Sequence, residues 1–248
     1  MTRSNGGACV MSSRSIATVV ALIGCCMASS PAKAQQVQDP ENGKQFALWL
    51  DQAASAALAK NKSFEAEVHE RFDEGASHLF EYFVQAGVAF RLRPWLTVTP
   101  IYRYQRFPGN PTLDYEHRLL LNITTATSRG AWRPSLRTLV EERFPEGRPA
   151  SARLRFRPGV DYVLPIRMTR PPVLVVTNEF FVVPGENSFA AGGSFAQNRF
   201  QVGVRVPMTS SLAVRPYFMW QSVNQTTGWE TNEIVGISFT VRSSGRTK

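Results

Sequence analysis

From Ser63 to Arg242 polar and apolar residues alternate with a period of two. That period sends successive side chains to opposite faces of an extended strand. In 195–207, Gln197, Arg199, Gln201, Gly203 and Arg205 share one face, and Phe200, Val202, Val204 and Val206 share the other. In 79–92 the apolar face is Phe80, Tyr82, Val84, Ala86, Val88, Phe90 and Leu92. In 114–126, Asp114, Glu116, Arg118, Asn122 and Thr124 oppose Tyr115, Leu119, Leu121 and Ile123. The pattern predicts ten strands, at 63–72, 79–92, 95–107, 114–126, 133–144, 152–165, 173–183, 195–207, 211–224 and 231–242. They are longer than the roughly 5–6 residues usual in soluble proteins and suit a tilted crossing of a bilayer.

The connections near 93–94, 127–132, 166–171 and 208–210 are short. Those at 73–78, 108–113, 145–151, 184–194 and 225–229 are longer or richer in Gly and Pro. This asymmetry predicts an all-β fold, an antiparallel up-and-down transmembrane β-barrel of about 10–12 strands with tight turns at one end. The ten strands begin and end on the tight-turn side. Residues 46–59 are ambiguous, because Phe46, Leu48 and Leu50 alternate but Ala53-Ala54-Ser55-Ala56-Ala57-Leu58 suits a helix. They are read as a helix or an extra edge strand, since an eleventh barrel strand would need a twelfth for parity. Pro100, Pro158 and Pro216 each remove a ladder donor and are expected near strand ends or bulges.

Alternation does not say which face is inside; the charges do. With hairpins centred on their loops, Arg71 falls near Glu81, Arg118 opposite Glu141, Glu141 opposite Arg155, and Glu116 opposite Arg143. Arg157 faces Glu179, which faces Arg199. A buried charge is costly unless paired, whereas a solvated pair contributes only about 0–1 kcal/mol. The matching, with Arg103, therefore predicts a lumen lined by an Arg/Glu ladder and an apolar exterior. In so narrow a barrel these side chains form a polar core more readily than a conduction path. The surplus of Arg103, Arg137, Arg153 and Arg157 would make any residual path anion-preferring. Tyr82, Trp95, Tyr102, Tyr104, Tyr115, Phe144, Tyr162, Phe218 and Trp220 lie near strand ends, as interfacial girdles do. In the last strand Gly236, Phe239 and Val241 have the spacing of an insertion signal, although Ile234 occupies a usually polar position.

Residues 1–34 read as a signal peptide: Arg14, the apolar run Ile16–Gly24, and an Ala32-Lys33-Ala34 site with cleavage after Ala34. Met11 is an alternative start. Leu22-Ile23-Gly24-Cys25 resembles a lipobox, which would anchor a soluble periplasmic barrel at Cys25; the Ala-Lys-Ala site is the cleaner match. A flexible lead-in (35–45), the barrel domain (46–242) and a tail (243–248) follow. The expected location is the outer membrane, with the periplasm as the alternative. The expected partners are outer-membrane lipids and, during insertion, the barrel-assembly machinery. All three cysteines fall inside the leader, so disulfides and cysteine-bound metals are not expected beyond it.

The net charge of +9 suggests nucleic acid until it is located, for three of those charges lie in the leader. Between Ser63 and Thr247 every basic residue is arginine. Arginine forks suit carboxylates held away from bulk water, and no nucleic-acid partner is expected. The three histidines, His69, His78 and His117, lack metal-ligand spacing with a third partner, so neither metal nor cofactor is expected. His117, on the apolar face near Tyr104 and Glu142, is the candidate for lipid-modifying catalysis, but no serine falls on the flanking strands at its height. The reading is a non-enzymatic barrel, with a small anion-preferring channel as the alternative.

The order of several segments resembles domain-of-unknown-function family 2490, regarded as bacterial outer-membrane-type β-barrels. They are a Trp49 segment, Val84-Gln85-Ala86-Gly87-Val88, Ile101-Tyr102-Arg103-Tyr104, Glu116-His117-Arg118, Arg153-Leu154-Arg155-Phe156-Arg157, Asn178-Glu179-Phe180-Phe181, Asn198-Arg199-Phe200-Gln201-Val202-Gly203 and Arg215-Pro216-Tyr217. The likeness spans roughly 46–242. It implies the fold and location, and brings no catalytic or ligand-binding residues.

Overall fold

The structure, a computed structural model, describes residues 47–183, 195–225 and 228–243. The leader with Ala34 and Cys25, the lead-in, the 184–194 loop and residues 244–248 lie outside the described residues. Eleven strands form a closed barrel: β1 (Ala47–Ala59), β2 (Lys62–Asp73), β3 (His78–Arg93), β4 (Leu96–Arg106), β5 (Tyr115–Ala126), β6 (Trp132–Pro145), β7 (Ser151–Val163), β8 (Val173–Val182), β9 (Phe195–Pro207), β10 (Leu212–Gln225) and β11 (Gly228–Ser243). The last ten match the expected strands to within three residues.

Residues 47–59 depart from the parity expectation for 46–59. That segment is a barrel strand and needs no twelfth partner, because β1 pairs with β11 in parallel, Ala47 beside Ile234 through Ala56 beside Ser243. Every other neighbouring pair is antiparallel. An odd up-and-down barrel can close in no other way. The chain consequently enters its first strand at the rim that carries loops 74–77, 107–114 and 146–150, not at the tight-turn rim. The length asymmetry is also softer than expected. Residues 164–172 make a long connection at the tight-turn rim, and β10 and β11 stay paired down to Gln225 beside Gly228. Helix propensity in the Ala-rich stretch loses to barrel closure, which leaves β1 no unpaired edge.

The three internal prolines sit in mid-strand, not at ends. Each is paired on one side and opens the ladder on the other. Pro100 stays in register with Leu121, while the β3–β4 ladder jumps from Gly87–Ile101 to Phe90–Val98. Pro158 faces Leu136, and β7–β8 jumps from Phe156–Phe180 to Gly159–Thr177. Pro216 faces Ile237, and β9–β10 jumps from Val214–Val206 to Tyr217–Gly203. Proline lacks the N–H that the open side would use. Gly87 and Gly203 lie against the carbonyls of Pro100 and Pro216 so closely that a Cβ would collide with them.

Candidate functional site: the lumen

The two faces of the wall have opposite chemistry. Glu116 and Glu141 are 0% exposed, and Arg103, Arg118, Arg155 and Glu179 are buried with them. On the other face Leu119 is 53% and Trp220 39% exposed, with Leu121, Val140, Phe156, Phe200 and Phe239 similarly placed. The charged residues share the interior because they alternate with these apolar ones along each strand.

Inside, three glutamates tie five arginines into one chain. Glu116 accepts from Arg118 (2.9 Å) and Arg143 (2.6 Å). Arg118 also approaches Glu141 at 3.9 Å. Glu141 accepts from Arg153 (2.7 Å) and Arg155 (2.6 Å). Arg155 turns its other nitrogens to Glu179 (2.9 Å), which also takes Arg137 (3.1 Å). Across the barrel, Arg71 pairs with Glu81 at 2.5 Å, and Gln105 donates to the same carboxylate. Charge-assisted forks of this kind satisfy groups that water reaches poorly.

A second network lines the β1–β3 side. The two ring nitrogens of His69 lie 2.6 Å from Asp51 and 2.8 Å from Glu67. Tyr217 donates to Asp51 (2.8 Å), Gln85 to Glu67 (2.8 Å), and Arg103 to Gln85 (2.6 and 2.9 Å). At the parallel seam Trp49, Tyr217, Met219 and Ile234 form an apolar cluster inside the barrel. Gly236 lies beneath the Tyr217 ring, where any Cβ would strike it.

Aromatic rings and arginines together bridge the middle of the lumen. Arg71 and Arg199 lie over Trp49 at 4.1 and 4.9 Å, Arg103 over Phe83 at 4.0 Å, and Arg155 and Arg199 over Phe181 at 4.6 and 4.8 Å. Trp49, Arg71, Arg103, Arg155 and Arg199 line two chambers at once, of about 260 and 250 Å³, and so form the septum between them. The first chamber shares Arg205, Ala213 and Thr240 with a wider one, of about 500 Å³, at the tight-turn rim.

The expected ladder residues all sit in this lumen, but the strand register differs from the estimate. Arg118 stands beside Arg143, not Glu141, and Glu141 beside Arg153, not Arg155. The pairs still form because long side chains reach diagonal neighbours two residues away. Glu179 does stand beside Arg199, yet it bonds Arg155 and Arg137 while Arg199 donates to Gln221 (2.9 Å). Arg157 makes no ion pair within 4 Å among the described residues.

His117 lies on the outer surface opposite Tyr104 and Phe144, hydrogen-bonded to Tyr102 (2.6 Å) and packed near Tyr115. Glu142 stands beside Leu119 without a bond to it. The adjoining outer groove contains no serine. Among the described residues, no group of three His, Cys, Asp or Glu could hold a metal, and no helix is long and apolar enough to cross a membrane. The sequence reading missed Asp51, Glu67, His69, Phe83, Phe181 and Tyr217. Alternation of Trp49 and Asp51 against Leu48 and Leu50 was the available signal for the first of these.

A family model described as "Protein of unknown function (DUF2490)" matches residues 46–232. No curated protein matches the chain. Among solved structures, the barrel is similar to the NanC porin, with 11% identity over 75% of this chain and 90% of that one and a TM-score of 0.49. It is also similar to the siderophore receptor PirA from Pseudomonas aeruginosa, with 14% identity over 71% of this chain and 35% of that one and a TM-score of 0.33.

Proposed function

The chain belongs to the protein family of unknown function DUF2490, and we propose that it is a non-catalytic outer-membrane β-barrel whose lumen is obstructed at mid-height. The observation that carries this reading is the inverted polarity of the wall. Fully buried glutamates and their arginines occupy the interior, while Leu119, Leu121, Phe200 and Trp220 face outward. A water-soluble barrel would need the reverse, whereas a bilayer accommodates this exterior without cost. Strands of 10–16 residues are long enough to cross the hydrocarbon layer. Trp95 and the Trp132–Tyr162 pair at one rim, with the Tyr102, Tyr104 and Tyr115 group toward the other, fit two interfacial girdles. The signal-peptide pattern read in residues 1–34 fits the same location.

Obstruction follows from the septum, in which stacked guanidiniums and rings fill a lumen far narrower than that of a porin with about 16–18 strands. The experiment is fractionation and heat-modifiable gel migration, followed by planar-bilayer recording. The reading expects membrane localisation, compact migration in cold detergent, and no steady conductance. A steady ohmic conductance would favour a second reading, an anion-preferring channel, supported by eight arginines against three carboxylates in the central chamber wall.

A further inference from the structure

Most lumenal arginines form an ion pair with a carboxylate within 4 Å; four in the central chamber do not, among the described residues. Arg103 and Arg199 donate instead to the neutral Gln85 and Gln221. Arg157 and Arg215 make neither a hydrogen bond nor an ion pair among the described residues, and Arg215 merely stands over the Tyr217 ring at 5.4 Å. Each immediately precedes one of the mid-strand prolines, Pro158 and Pro216, where the ladder opens. The charged neighbours of Arg157 are the carboxylates of Glu179 and Glu67, neither within ion-pair distance, and the guanidiniums of Arg215 and Arg155. Eight guanidiniums gathered around the three carboxylates of Asp51, Glu67 and Glu179 leave a surplus of positive charge that repels itself and loses hydration, a cost that a bound anion removes.

We propose that the central chamber is a binding site for a small multivalent oxyanion, bearing carboxylate, sulfate or phosphate groups, held by Arg157 and Arg215. The inference rests on the orientation of the wall given above and deepens it by naming the ligand class. Arg205, already paired with Asp161, marks the passage from the rim chamber, which Arg133, Arg170 and Arg242 line. That basic mouth draws anions inward from the tight-turn side. Size limits the ligand. At about 260 Å³ the chamber lies below the roughly 300–1,000 Å³ of ordinary small-molecule pockets, which excludes oligomeric ligands. Thr177, Gln201 and Thr240 supply neutral hydrogen-bonding groups in the same wall.

The test is calorimetric titration of the full-length protein in detergent with sodium sulfate, sodium phosphate and sodium citrate, each against sodium chloride of matched ionic strength. The expected result is saturable binding of at least one of the three, weakened about 10- to 100-fold by Arg157→Gln or Arg215→Gln. Arg133→Gln, in the rim chamber, should weaken it less than about threefold. Arg157→Lys keeps the charge and loses the fork; it serves if the glutamine variant does not migrate as a folded barrel, and should still weaken binding. Absence of saturable binding up to about 10 mM overturns the proposal. So does binding that Arg157 and Arg215 variants leave unchanged. Failure to fractionate with membranes would refute the membrane reading alone, because the titration also works on a soluble barrel.

Discussion

Glu141→Gln tests whether the lumenal ladder is a dry, structural network. The glutamate is fully enclosed, with one oxygen 2.6 Å from Arg155, the other 2.7 Å from Arg153, and Arg118 at 3.9 Å. The amide keeps the shape and one acceptor oxygen but removes the charge and sets an NH₂ against an arginine. Removing one partner of a buried ion pair costs about 3–5 kcal/mol. The retained acceptor puts this variant at the lower end, about 3 kcal/mol, or a urea midpoint lower by about 1–2 M. Urea titration of the protein in lipid vesicles, followed by tryptophan fluorescence, measures it. Adding Arg153→Gln should cost about 1–2 kcal/mol less than the sum of the single changes, because the second removes a cation the first left unpaired. The reference is Asp161→Asn. Asp161 pairs with Arg205, both side chains are 26% exposed, and the expected loss is at most about 1 kcal/mol. If Glu141→Gln costs no more than Asp161→Asn, the lumen is wet throughout and the reasoning is refuted.

Leu121→Arg places a charge on the outer face near mid-strand and should destabilise the barrel in vesicles by about 2–4 kcal/mol, measured by the same titration. Gly236→Val should sharply lower the folded fraction on cold gels, because its side chain would occupy the space of the Tyr217 ring; Tyr217→Ala in the same chain should restore much of it. Trp49→Ala removes the ring held between Arg71 and Arg199, so single-channel recording should show conductance absent from the parent protein.

How much of this was legible in the sequence varies by residue. The period-two alternation located ten strands because each has one apolar outer face and one polar lumenal face, the condition that makes the pattern visible. Residues 47–59 were not legible, since six alanines carry little alternation and the parallel closure is a property of the whole barrel. The Arg/Glu pairing could be anticipated as a set but not by individual partner. Glu179 prefers Arg155 and Arg137 over the adjacent Arg199 because guanidinium reach and the stacking of Arg199 on Trp49 and Phe181 decide the contact. Phe83 and Phe181 were hidden for another reason: an aromatic residue on a polar face looks like an exception until arginines are seen stacked on it.

Depth-dependent quenching along β5 is the most direct test of the wall's orientation. Leu119→Cys, Leu120→Cys, Leu121→Cys, Asn122→Cys and Ile123→Cys would each carry a polarity-sensitive fluorophore, in protein lacking the leader cysteines and inserted in vesicles. Labels at 119, 121 and 123 should be quenched by brominated lipid tails, and those at 120 and 122 should not. Quenching of the odd positions by aqueous iodide, with none from the lipid, would show that the greasy face does not meet a bilayer and would contradict the account.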